Sequence, residues 1–105
     1  MKESLLNKLE SLTERQMEIE ALLADASVIN NQKRFRDLSR EYAEIKPVVA
    51  CFNEYRKMQE QITSAREMQN DPDKSLRELA TEEMKHAQEK TGQLELELQR
   101  LLLPQ

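Results

Sequence analysis

The amino-acid sequence predicts an all-α fold: an elongated antiparallel helical bundle, coiled-coil-like, with about three long helices. Three observations carry that reading. Apolar residues recur with alternating spacings of three and four along most of the chain. One Gly and three Pro in 105 residues are too few turn residues for a sheet protein. Charged residues make up 34% and hydrophobic ones 38%, with four aromatic side chains in all, which suits long amphipathic helices better than a globule around a pocket.

The first helix is predicted over about residues 2–24. Leu5, Leu9, Leu12, Ile19 and Leu23 form a heptad seam with Gln16 at its one polar position, and Leu6, Met17 and Leu22 widen it. Asp25, Ser27, Asn30 and Asn31 then supply turn contacts and caps. The second helix is predicted over about 31–68, on Phe35, Leu38, Tyr42, Ile45, Val49 and Phe52, continuing through Tyr55, Gln59 and Ile62. Pro47 interrupts it. Proline removes one backbone bond and resists a helical residue before it, so the segment is either one helix kinked near Pro47 or two helices that meet there. The nearly unbroken apolar phase favours the kinked helix.

Asn70-Asp71-Pro72-Asp73 is the clearest break, with Asp71 or Asp73 as a cap and Pro72 at the start of the next helix. The third helix is predicted over about 73–102. Its seam is Ala80, Met84, Ala87, Thr91, Leu94, Leu98 and Leu101, with Leu76 and Leu79 at the front. Gly92 lies inside it, as a tolerated exposed glycine or the mark of a close helix crossing. The expected core anchors are Phe35, Leu38, Tyr42, Val49, Phe52 and Tyr55. Short connections make the helices antiparallel neighbours in a single domain, 1–105.

Several function classes find no support. A lone Cys allows no internal disulfide and no multi-cysteine metal site. The longest apolar run, Val48 to Phe52, is far short of a membrane span, and no apolar leader follows the basic N-terminus; the expected location is cytoplasmic. His86, the only histidine, has Glu82, Glu83 and Glu89 nearby but too few ligands of the right type for a metal. Cys51 reads as a buried, inert thiol. Carboxylate pairs such as Glu18 with Glu20 and Glu82 with Glu83 read as solvated helix surface, and no glycine-rich loop could cradle a phosphate. The expectation is a non-enzyme without cofactor or metal.

The sharpest charge feature is Lys33-Arg34-Phe35-Arg36 followed by Arg40. Asp37, Glu41 and Glu44 offer ion-pair partners, so the segment is either a salt-bridged helix face or a docking patch. The candidate partner-docking surface is Arg34, Arg36, Ser39 and Arg40. A net charge of -4 argues against much direct nucleic-acid binding.

The run Arg34-Phe35-Arg36-Asp37-Leu38-Ser39-Arg40-Glu41-Tyr42-Ala43, with Pro47-Val48-Val49, Phe52 and Tyr55-Arg56 after it, resembles the N-terminal domain of bacterial class-1 peptide chain release factors, most closely the branch that reads UAA and UAG. Leu22-Leu23-Ala24-Asp25, Val28-Ile29 and Leu101-Leu102-Leu103-Pro104 fit the same family, so the resemblance spans essentially the whole chain. Lys85, Gln88 and Lys90 depart from the more glutamate-rich helix of the family. The resemblance implies a helical docking and positioning domain, a fragment of a longer translation factor. In the family the intact factor enters the ribosomal A site, reads the stop codon with a tripeptide loop and hydrolyses peptidyl-tRNA with a Gly-Gly-Gln loop. Neither element stands in this sequence, whose one Gly-Gln pair, Gly92-Gln93, lies in a heptad helix. The implied partners are the stalk base of the large ribosomal subunit and the class-2 release-factor GTPase. The chain is expected to be monomeric, with a dimer as the alternative. The competing reading is a stand-alone structural coiled coil that self-associates through its leucine seams.

Overall fold

Short polar side chains start three of the four helices in the computed structural model, which describes residues Met1–Pro104. Helix α1 (Glu3–Leu23) follows Lys2 without a side-chain cap. Helix α2 (Ala26–Ile29) starts on Asp25, whose carboxylate accepts from the Ser27 amide at 2.8 Å and the Ser27 hydroxyl at 2.6 Å. Helix α3 (Gln32–Met68) starts on Asn31, whose Oδ1 accepts from the Arg34 amide at 3.1 Å. Helix α4 (Lys74–Leu101) starts on Asp73, which accepts from the Ser75 amide at 2.8 Å. Each contact supplies a partner to an amide that the helix itself leaves unbonded. The fold is all-α, with no strand among the described residues. The four-residue α2 is too short to leave a periodic signal of its own.

Pro47 stands inside α3, so the alternative of two helices meeting there is not realised. Ile45, Val48 and Val49 are buried around it, while Pro47 itself is exposed. The burial of its neighbours holds the backbone helical. The bond missing from Pro47 to the Ala43 carbonyl falls on an exposed rung, where water can replace it.

Two compact units divide the chain, Met1–Ala50 and the residues from Cys51 onward. In the first, Ile19 of α1, Val28 of α2 and Leu38, Ile45 and Val49 of α3 form a buried cluster, with Leu12, Leu22, Leu23 and Tyr42 packed against it. In the second, Phe52, Tyr55, Met58 and Ala65 of α3 and Ala80, Met84, Ala87 and Leu98 of α4 are buried. Cys51 Sγ lies 3.8 Å from the Leu94 carbonyl, and Gln59 donates to Thr91 Oγ1 at 3.3 Å. Partners descend α4 as they ascend α3, so the two helices of this unit run antiparallel. The Phe52 and Tyr55 rings stack at 6.2 Å between centroids, and the Arg56 guanidinium sits 4.2 Å over the Phe52 ring.

Four seam assignments need correction. Phe35, expected as a core anchor, is 39% exposed. Phe35, Tyr42 and Val49 are spaced by heptads, and a straight α-helix drifts about 20° per heptad against a 3.5-residue repeat. Burial follows that drift: Phe35 is exposed, Tyr42 half-buried and Val49 buried. Met17 is exposed because it lies well round α1 from the Leu9–Ile19 seam. Leu76 is exposed because the antiparallel register sets it opposite the connection after Met68 rather than opposite a helix, and Leu79 because it points about 100° away from the Ala80 seam. A Cβ added at Gly92 would meet nothing within 4 Å, so this glycine is an exposed one and marks no close crossing.

Phe52, 1% exposed, should lose about 3–5 kcal/mol of stability on truncation to Ala, whereas Phe35→Ala should stay within about 1 kcal/mol of the parent; urea unfolding followed by circular dichroism reads both. Gly92→Ala should raise stability by about 0.5–1 kcal/mol in the same measurement, because it adds helix propensity without a clash.

Candidate functional site

The first turn of α3 carries no acidic residue and two basic ones, Lys33 and Arg34, with Arg36 and Arg40 following. That arrangement runs against the helix macrodipole, whose positive end disfavours cations there by about 0.3–1 kcal/mol each. No ion pair compensates. Among the described residues, Lys33, Arg34, Arg36 and Arg40 form no salt bridge with Asp37, Glu41, Glu44 or any other acid. The salt-bridged face that the sequence offered as one reading is therefore absent.

Helix geometry also divides this basic segment. Successive residues turn by about 100°, so Arg34 and Arg36 point about 200° apart. Lys33 and Arg34 line a groove of about 440 Å³ with Arg15, Asn31, Asp37 and Glu41, floored by Leu38. Arg36, Ser39 and Arg40 lie on another side of the helix, the arginines exposed and Ser39 half-buried. Of the four residues named as a docking surface, three share a face and Arg34 does not.

Across the groove, Arg15 of α1 grips Glu41 of α3 with two parallel bonds, Nε to Oε2 at 2.6 Å and Nη2 to Oε1 at 2.8 Å. Its remaining nitrogen, Nη1, reaches Glu18 Oε1 at 2.7 Å. The bonds from Arg15 hold the Glu41 carboxyl below the usual carboxylate range, and the same bonds raise the guanidinium further above neutrality. Asp25 is likewise lowered, by the Ser27 hydroxyl and amide. With Arg15 and Glu41 neutralising each other, the groove is nearly balanced in charge and is a structural clasp rather than an anion cradle. The sequence contains both residues but carries no signal for a pair 26 positions apart, and Arg15 was missed on that account.

The remaining candidates are plain. A larger open groove in the second unit, about 780 Å³, is lined by Lys57, Glu60, Gln61, Ser64, Glu82, Glu83 and the exposed His86. No group of three His, Cys, Asp or Glu among the described residues could hold a metal ion. Cys51 is half-buried rather than buried; desolvation, then the charges of Glu97 and Glu54, push its thiol up and away from the reactive thiolate. No described helix is long and apolar enough to cross a membrane.

Because Glu41 titrates lower in the folded chain than in the unfolded one, its clasp contributes fully above the ordinary carboxylate pKa and is lost as the pH falls through the depressed folded value. The Arg15–Glu41 pair is partly exposed and screened, so Glu41→Gln should cost about 0.5–1 kcal/mol at pH 7. The gap between the two proteins should close in acid, as urea unfolding at a series of pH values would register.

The α3 stretch that carries the unpaired cations lies within the part of the chain that matches a known family. Residues 12–105 match the model of the PCRF domain, and the chain belongs to this family of peptide chain release factors.

Proposed function

We propose that this chain is one docking and positioning domain of a peptide chain release factor that acts in the cytoplasm at the stop codons UAA and UAG. In this reading it contacts the stalk base of the large ribosomal subunit and the class-2 release-factor GTPase, and it neither decodes nor hydrolyses. The observation that supports it most is the start of α3. Lys33 and Arg34 stand in the first turn against the helix dipole, Arg36 and Arg40 follow, and none of the four forms a salt bridge among the described residues, Asp25 acting on Arg34 only at longer range, so the fold gains little from these cations. Residues that break a local rule without a compensating contact are expected where a surface serves a partner. The narrow UAA/UAG assignment rests on the likeness of the Arg34–Ala43 run to that branch.

Self-association through leucine seams has less support. Leu9, Ile19 and Leu98 are each at most 1% exposed within a single chain, so those seam positions need no second copy to cover them. Light scattering across a concentration series should return a monomer.

Co-sedimentation with purified large ribosomal subunits and pull-down with the class-2 GTPase test the docking role. The chain should be enriched several-fold over an unrelated helical bundle of similar net charge, and retention no better than that control by either partner would defeat the proposal. In the parent factor, peptide release at UAA and UAG but not UGA would support the branch, and release at UGA would remove it.

A further inference from the structure

Charge on the exposed side of α3 in the first unit is segregated in a way that points to the chemistry of its partner. At about 100° per residue, Phe35, Arg36, Arg40, Ala43, Lys46 and Pro47 fall within one arc of about 140°. All six are exposed. Asp37, Glu41 and Glu44 all fall outside the arc, and none of Arg36, Arg40 and Lys46 has an ion-pair partner among the described residues. The strip thus joins three cations without ion-pair partners to a mainly apolar floor: an aromatic ring at the N-terminal end, the half-buried Ser39 beside it, then the low Ala43 rung and the flat Pro47 ring.

We infer that this strip binds an acidic amphipathic helix of a partner protein, a proposal that rests on the docking role above and assigns it a surface and a ligand chemistry. Phe35 is the apolar anchor. Its 39% exposure leaves a large hydrophobic side chain half in water, the kind of group whose burial dominates an interface. Ala43 carries almost no side chain and lets a partner helix approach α3 closely. Arg36 and Arg40 are one turn apart, about 6 Å along the axis, the spacing of carboxylates at i and i+4 on a facing helix. Guanidinium groups bind carboxylates through paired hydrogen bonds, which fixes register as well as sign.

The same features disfavour a nucleic acid. Three cations along little more than three turns neutralise few phosphates, and affinity for a polyanion grows with that number. Asp37 and Glu44 border the strip and repel a backbone that runs past its edge. The floor of Phe35, Ala43 and Pro47 gives nothing to phosphate but matches the apolar stripe of an amphipathic helix.

The test titrates the labelled chain with three probes in low salt: an 18-residue helical peptide with a leucine stripe flanked by glutamates at i and i+4, its lysine-for-glutamate counterpart, and an 18-nucleotide single-stranded RNA. The acidic peptide should bind saturably, with amide shifts gathered on the Phe35–Pro47 strip, and roughly tenfold tighter than the basic peptide. Phe35→Ser should weaken it roughly tenfold, and Arg36→Gln with Arg40→Gln by at least about as much, while circular dichroism shows each variant still helical. Absence of saturable binding, affinity unchanged in the variants, shifts gathered on the Arg15–Glu41 groove, tighter binding of the RNA, or self-association through this strip would each overturn the proposal. If the chain still co-sediments with ribosomal subunits when the peptide fails, the docking role survives and this strip is not its surface.

Discussion

An apolar stripe that repeats every 3.5 residues cannot stay on one line along a helix that turns every 3.6, and α3 carries such a stripe for most of its length. The residues at Phe35, Tyr42 and Val49 rotate steadily into the interior as the helix advances. The drift leaves an aromatic ring in water at the N-terminal end and draws Val49 and Phe52 fully inside. The first unit therefore takes its cluster from Leu38 onward, with α1 and α2 supplying Ile19 and Val28. Pro47 is tolerated because its own side chain lies on the solvent side while the residues around it are held by burial.

The same helix separates two kinds of charge. On the side toward α1, Glu41 is drawn into a two-point clasp with Arg15, which links elements distant in sequence and leaves little net charge in the groove. On the far side, Arg36, Arg40 and Lys46 form no salt bridge among the described residues. A buried core and satisfied caps at Asp25, Asn31 and Asp73 account for the fold; they do not account for those cations. The surplus of positive charge on one strip, in a chain of net charge -4, is the feature on which the proposed docking role rests. The family match puts the chain among peptide chain release factors, whose setting is translation termination.

Helical class, the periods of three long helices and the positions of the breaks were legible in the residues alone, because a period and a turn signal are local properties. Ala80, Met84, Ala87 and Leu98 are buried as their spacing required, and the Asp73 cap stands where its tetrapeptide placed it. The motif Arg34–Ala43 carried the family. What local order could not supply were facts that depend on a second element or on accumulated rotation. Phe35 and Leu76 carry the right residue type on the right period and are nevertheless exposed, one through drift and the other because its facing helix has ended. Arg15 found Glu41 across 26 positions, and of the two readings left open for Arg36 and Arg40 the one that paired them with neighbouring acids is not realised. Spacing along the chain decided which residues could lie inside. Only the tertiary arrangement decided which of them did, and which charges remained free, because burial and ion pairing require a partner surface at a particular distance and angle.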